Sequence, residues 1–298
     1  DSHDLYGINR EIFGSWIGNF LNVIYIFYCS FAFFTVLRNY IEVIQTWIFP
    51  LLSTWFIAAT LLLLVIYTFL GGLRVIVGVA FFSFVLAFWL IFVLVFPLQY
   101  SDPQSLFPIL ESQLIDILKG AKAMTFTIVG FEILYIIFPF VKEKNEIAKP
   151  VHYGLLVTTL MYLAIILVSL TYFSGEQLSK TIWATLSLFS IVQFPFLERF
   201  EFLAVCFWML IILPNLCLYI WAAHRGMSGM IKISTKKFVW IFSIIILVLT
   251  IFVKSRIQIN AINNTFAQVA FYVVFIYPLF LYVLALLKKK LASQRRVT

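Results

Sequence analysis

Thr125-Phe126-Thr127-Ile128-Val129-Gly130-Phe131-Glu132 lies inside an apolar run long enough to cross a bilayer, yet it does not read as a uniform helix. The two threonines can bond backbone carbonyls, Gly130 leaves unfilled space beside the chain, and Glu132 places an acid near bilayer depth. An ionised carboxylate there costs about 2.5 to 3.5 kcal/mol or more, so such a residue normally faces a cavity or a partner, or is protonated. Two readings follow. In one, a kinked helix buries a protonated Glu132. In the other, the helix is unwound near the midplane, and its freed carbonyls and N–H groups meet a small polar ligand.

The rest of the chain supplies the membrane. Of its 298 residues, 63% are hydrophobic and 11% charged, and the mean hydropathy is +1.04, more apolar surface than a soluble domain of this length needs. The composition predicts an all-α polytopic membrane protein whose partner is the lipid bilayer, and the 34 Phe and 8 Trp fit lipid-facing and interfacial surfaces. Eight spans are expected, over residues 16–37, 50–70, 75–96, 121–141, 151–172, 195–223, 238–253 and 266–287. Gly71-Gly72 makes a tight turn between the second and third. Residues 38–47 and 254–264 read as connections, and 109–118 as an amphipathic helix on the membrane surface with Glu111 and Asp116 on its polar face. Residues 182–189 are too short to cross a hydrocarbon core of ~30 Å and read as an interfacial or re-entrant helix.

The polar residues inside the spans carry the remaining information. Asn19, Asn22, Tyr25 and Tyr28 in the first span read as interhelical hydrogen-bonding groups ahead of ligand contacts. Glu198 and Glu201 fit the first turn of the sixth span, where an acid complements the helix dipole. Cys29, Cys206 and Cys217 show no paired spacing and read as small hydrophobes, and the three histidines are too far apart to suggest a metal site. The net charge of +8 comes from loops and the basic end, including Lys288-Lys289-Lys290, so it points to cytoplasmic loops and not to nucleic acid. Eight spans leave both ends on one side, which collects about two-thirds of the Lys and Arg residues, so both termini are expected to be cytoplasmic. Asn263-Asn264-Thr265 matches a glycosylation sequon, a weak three-residue signal. Residues 1–15 have neither an initiating Met nor a signal-peptide pattern and read as internal to a longer protein.

Three motifs together resemble a known family. The Gly71-Gly72-Leu73-Arg74-Val75 hairpin, the stretch from Thr125 to Glu132, and Phe194-Pro195-Phe196-Leu197-Glu198-Arg199-Phe200-Glu201 are similar to the B subunits of bacterial spore germinant receptors, the GerAB-type spore permeases. The similarity covers essentially the whole chain. It implies the amino acid, polyamine and organocation transporter superfamily, with a LeuT-like fold of ten helices in two inverted five-helix repeats. This chain would be a single transporter-like domain over 1–298 that lacks the first two helices, and its fourth span would be the broken sixth helix. By resemblance, Phe126 covers the ligand, the carbonyls near Phe126 and Val129 receive its amino group, Gly130 permits the break, and Glu132 matches an acid linked to protonation in some transporters. The implied ligand-binding set is Thr125, Phe126, Thr127, Ile128, Val129, Gly130 and Glu132, with Tyr25 and Trp208 from neighbouring spans.

The function this implies is a membrane subunit that senses a small-molecule nutrient such as an amino acid and triggers germination through an A subunit and a C lipoprotein subunit. These would lie in the spore inner membrane. A proton-coupled amino acid transporter is the alternative, because a sensor derived from a transporter keeps the same site. No paired intramembrane acids, His-Cys cluster or phosphate loop points to an enzyme or a cofactor.

Overall fold

The structure is a computed structural model that describes residues 4–108, 113–195 and 198–294, and it is all-α. In chain order the helices are α1 (Leu5–Trp47), α2 (Thr54–Leu70), α3 (Leu73–Leu98), α4 (Leu114–Ile128), α5 (Phe131–Phe140), α6 (Ala148–Tyr172), α7 (Gly175–Lys180), α8 (Ala184–Phe189), α9 (Phe200–Ser228), α10 (Thr235–Phe252) and α11 (Arg256–Lys288). Among the described residues, α1, α3, α6, α9, α10 and α11 are long and apolar enough to cross a membrane, and α4 with α5 makes a seventh if the bent pair is one span. The 17 residues of α2 are apolar but cover only about 26 Å at 1.5 Å per residue. The surfaces of α3, α6 and α11 bear exposed Phe81, Phe82, Leu156, Leu160, Phe280 and Val283, an aggregation hazard in water and the expected outer face in lipid.

The core runs along α1 and α9. Cys29, Ala32, Phe33, Leu37 and Ile41 of α1 are fully buried, as are Ile220, Ala222 and Ala223 of α9. Hydrophobic burial does not drive helix association within lipid, so close contact between small residues matters more here than in a soluble bundle. Gly226 is the tightest case: a Cβ there would stand 2.5 Å from Cζ of Tyr6.

Several expected boundaries move. Residues 5–13, expected as a polar lead, are helical and fold back on the rest of α1 at Gly14, whose φ of 81° is easy only for glycine. The two arms are tied by Asn9 Nδ2 donating to Asn22 Oδ1 at 2.9 Å and by Arg10 Nε donating to Asn19 Oδ1 at 2.8 Å. The polar residues at the head of the first span thus bond, as expected, to other protein groups. The same arm reaches α9 through the Arg225–Asp4 ion pair at 3.0 Å and the Tyr6 hydroxyl, which donates to Ala222 O at 2.9 Å. Lys288 of α11 donates to Glu11 O at 2.6 Å.

Residues 38–47 continue α1, with Arg38, Tyr40, Ile41 and Val43 buried around most of its circumference. Residues 256–264 are likewise helical, opened by a capping box between Ser255 and Gln258. That places Asn263 of the sequon inside α11, in a reciprocal amide pair with Asn39 at 2.7 and 2.9 Å. The described part of the amphipathic segment is helical and runs on into α4. Residues 109–112, with Glu111, lie outside the described residues, while Leu114 onward opens α4, where Asp116 pairs with Lys119 at 3.0 Å, both side chains exposed. The expected short helix over 182–189 is present as α8, its Leu186, Leu188 and Phe189 buried. Phe196 and Leu197 lie outside the described residues; beyond them Glu201 sits in the first turn of α9 and pairs with Arg199 at 2.9 Å.

The Gly226 contact yields a stability test. Gly226→Val should lower the melting temperature of the purified protein in detergent, at an overpacking cost of about 1–3 kcal/mol. Gly78→Ala, where a Cβ meets nothing within 4 Å, should leave it unchanged or raised. Equal melting of both variants would remove the close-packed arm from the account of stability.

Candidate functional site

Helical hydrogen bonding in α4 persists further than the sequence predicts. The N–H groups of Thr127 and Ile128 donate to Met124 O at 3.0 and 3.1 Å, and Val129 N donates to Thr125 O at 3.1 Å. The chain then leaves the helix: Val129 takes ψ 151° and Gly130 takes φ 131°, a region that L side chains rarely adopt. A 62° bend separates α4 from α5. The break is therefore at Val129-Gly130, and the two threonines lie in its last helical turn. A Cβ on Gly130 would meet nothing within 4 Å, so its role is the backbone angle and not close packing.

Glu132 holds this break from inside. It is fully buried, and its Oε2 accepts the Gly130 N–H at 2.6 Å. In a continuous helix that N–H would bond Phe126 O, so the brace also frees the Phe126 carbonyl from its helical donor. Oε1 accepts from the Tyr28 hydroxyl of α1 at 2.7 Å and the Tyr219 hydroxyl of α9 at 3.0 Å. The acid thus ties the broken segment to both helices of the core. Because a backbone N–H can only donate, Oε2 is an acceptor whatever the orientation of the two hydroxyls. Both oxygens are thus occupied by protein donors.

The outer side of the break opens on a cleft of about 1070 Å³ between α3, α4, α5 and α6, lined by Phe84, Phe88, Ile128, Gly130, Tyr162 and Ile166 among others. Tyr162 donates to Thr127 O at 3.0 Å and closes one carbonyl off. On the opposite side, Phe126 meets Phe266 edge-on at 6.0 Å, and Phe266 stacks with Tyr28 at 5.8 Å, so these rings cover the break from α1 and α11. A π-helical turn, Phe271–Ile276, interrupts α11 nearby, and its Phe275 contacts Phe131 at 5.8 Å.

Of the implied ligand set, Thr125, Phe126, Thr127, Ile128, Val129 and Gly130 surround the break. Thr125 is buried, while Ile128 and Phe126 are more than one-third exposed. Tyr25 lies beside it, its ring 5.6 Å from that of Tyr28, and its hydroxyl has no hydrogen-bond partner among the described residues. Trp208 does not belong to the group. It precedes Tyr219 by eleven residues of α9, about 16 Å along the axis, and packs on Trp183 and Tyr40. Residue-type reasoning missed Tyr219 and Tyr162, which come from distant helices. Tyr28 read correctly as an interhelical bonding group, without its partner. Among the described residues no three His, Cys, Asp or Glu side chains come together in a way that would hold a metal.

Residues 1–259 match the spore permease family, described as spore germination proteins. The chain belongs to this family. Among curated spore germination proteins, GerQB of Bacillus cereus is 38% identical over 288 residues, covering 97% of this chain and 80% of that protein. YndE of Bacillus subtilis (strain 168) is 23% identical, covering 96% and 79%, and spore germination protein A2 of the same strain is 22% identical, covering 97% and 80%. Family membership and the apolar helices together make the chain an integral membrane protein of the spore germination permeases.

The brace of this spore permease is open to test through stability. Glu132→Ala leaves the Gly130 N–H and two tyrosine hydroxyls without their acceptor, about 1–3 kcal/mol for each buried orphan, and should sharply lower the melting temperature. Glu132→Gln should recover much of the loss, because its carbonyl can take the N–H while its amide donates to the phenolic oxygens. If Gln melts as low as Ala, hydrogen bonding by this residue does not hold the break.

Proposed function

We propose that the chain is the membrane subunit of a spore germinant receptor, binding a small nutrient such as an amino acid at the interruption between α4 and α5. The observation that carries this reading is the break itself: a positive-φ glycine within a membrane span, opening on a cleft and braced from the core. Irregular backbone at membrane depth is tolerated where it lines a cavity, and there it offers unpaired polar groups to a ligand. The Phe126 carbonyl, released from Gly130, is the natural acceptor for an ammonium group, with the Phe126 ring beside it.

In the ten-helix inverted-repeat frame that the family resemblance implies, α4 and α5 are the halves of the sixth helix. Binding that favours one angle between them would shift the equilibrium through Tyr28 and Tyr219 into α1 and α9, and this shift is what an A subunit and a C lipoprotein subunit would detect. Arg10, Arg225 and Lys288 gather at one end of the bundle, and Arg38 and Arg256 at the other. The basic first set fits a cytoplasmic end carrying both termini.

Radiolabelled amino acids offered to the complete protein in vesicles test the reading. A receptor shows saturable binding without accumulation. Accumulation that collapses when the proton gradient is dissipated would replace it with the transporter. In either case Gly130→Ala, strained by roughly 1–3 kcal/mol at φ 131°, should weaken binding and slow nutrient-triggered germination of spores. Normal germination of that variant across nutrients would remove the break from the ligand site.

A further inference from the structure

The end of the bundle that holds Arg225 carries a group of cations that the nutrient reading does not use. No Asp or Glu lies between Glu42 and Asp102 or after Glu201, so the α2–α3 hairpin and the α9–α10 connection carry positive charge alone. The cations are Arg74 in the hairpin, Lys232 in the connection, and Lys236 and Lys237 at the start of α10. Packing brings the two segments together: Phe69, near the end of α2, meets the His224 ring at 5.7 Å, and His224 meets Phe238, the residue after Lys237, at 5.0 Å. All four cations are exposed, and none of their side chains has an ion-pair or hydrogen-bonding partner among the described residues.

The acids of the same end are engaged elsewhere. Asp4 pairs with Arg225, and Glu11 faces Lys288 at 3.7 Å. Glu143 and Glu146 follow Phe140, which packs on Trp221 of α9, in a connection that holds Lys142, Lys144 and Lys149 as well. Nor do the cations serve the helices that carry them, because Arg74, Lys236 and Lys237 stand in first turns, where the helix dipole favours acids.

Beside the cations the surface is apolar. The short helix α2 packs against both α3 and α10, and its outer face presents Leu63, Tyr67 and Leu70, with Tyr67 81% exposed. On α10, Trp240 and Ile241 stand one turn beyond Lys236 and Lys237, and both are about half exposed. On α3, Val77 and Phe81 follow Arg74 along one exposed face. Unpaired cations at the rim of an exposed apolar strip match the two parts of a phospholipid, whereas a soluble anion would leave the strip uncovered. Tyr67 and Trp240 are the amphipathic rings expected where the two parts join.

We propose that this corner seats an anionic phospholipid along the outer face of α2, its phosphate drawn by Arg74, Lys236 and Lys237 and its acyl chains lying against Leu63, Tyr67 and Trp240. Each Lys or Arg near the membrane surface strengthens the attraction of anionic lipid by roughly fivefold.

The test uses the full protein in phosphatidylcholine nanodiscs into which phosphatidylglycerol is introduced stepwise, read by melting temperature and by the lipid retained in native mass spectrometry. A saturable rise in melting temperature with retained phosphatidylglycerol is expected. Arg74→Gln should weaken the apparent affinity about fivefold, and the double change Lys236→Gln with Lys237→Gln about 25-fold. Lys254→Gln, which removes an exposed charge just beyond the other end of α10, should leave it unchanged. Phosphatidylglycerol with brominated chains should quench tryptophan emission more than brominated phosphatidylcholine at the same fraction, and Trp240→Phe should remove most of that difference. A response that falls as far in Lys254→Gln as in the double variant is a general surface-charge effect and overturns the site. Equal protection by soluble polyphosphate in pure phosphatidylcholine, or a response that never saturates, overturns it as well. Each of these variants lies outside the break, so neither result touches nutrient binding there.

Discussion

Three hydrogen bonds to one buried carboxylate hold the centre of this protein in place. Glu132 receives a backbone N–H from the break and a hydroxyl from each of the two core helices. In water such bonds contribute little, because solvent competes for every donor. Inside a membrane there is no competing water, and each group left unpaired carries its full desolvation penalty. The same acid that looks like a defect in an apolar span is therefore what makes an interrupted span tolerable. It also couples the angle of the break to α1 and α9.

Around that centre the fold is fastened by polar clusters at both ends of α1. One is the returned arm at Gly14, with Asp4, Tyr6, Asn9 and Arg10 reaching α9 and α11; Asn9 also accepts from Tyr277 at 2.6 Å. The other is the Arg38, Glu42 and Arg256 group. Apolar packing between the clusters sets close contact but has little directional preference, since lipid competes for the same surfaces. Polar ties across the ends therefore set helix register.

The membrane class, the rough positions of the spans and the interruption near Gly130 were legible in the sequence, because hydropathy is additive along the chain and because a glycine and an acid at bilayer depth each demand a local reason. Family membership was legible as well, carried by three motifs in the right order. The extents of the helices were not. Residues 38–47 and 254–264 look polar enough to be connections, yet 38–47 and 256–264 are helical, and Arg38, Asn39 and Asn263 find partners on other elements. Only the tertiary structure placed Trp208 away from the break and brought Tyr28 and Tyr219 to Glu132 across separations of 104 and 87 residues. A sequence shows that a buried acid needs partners; which side chains supply them depends on how the helices pack, and no local pattern encodes that.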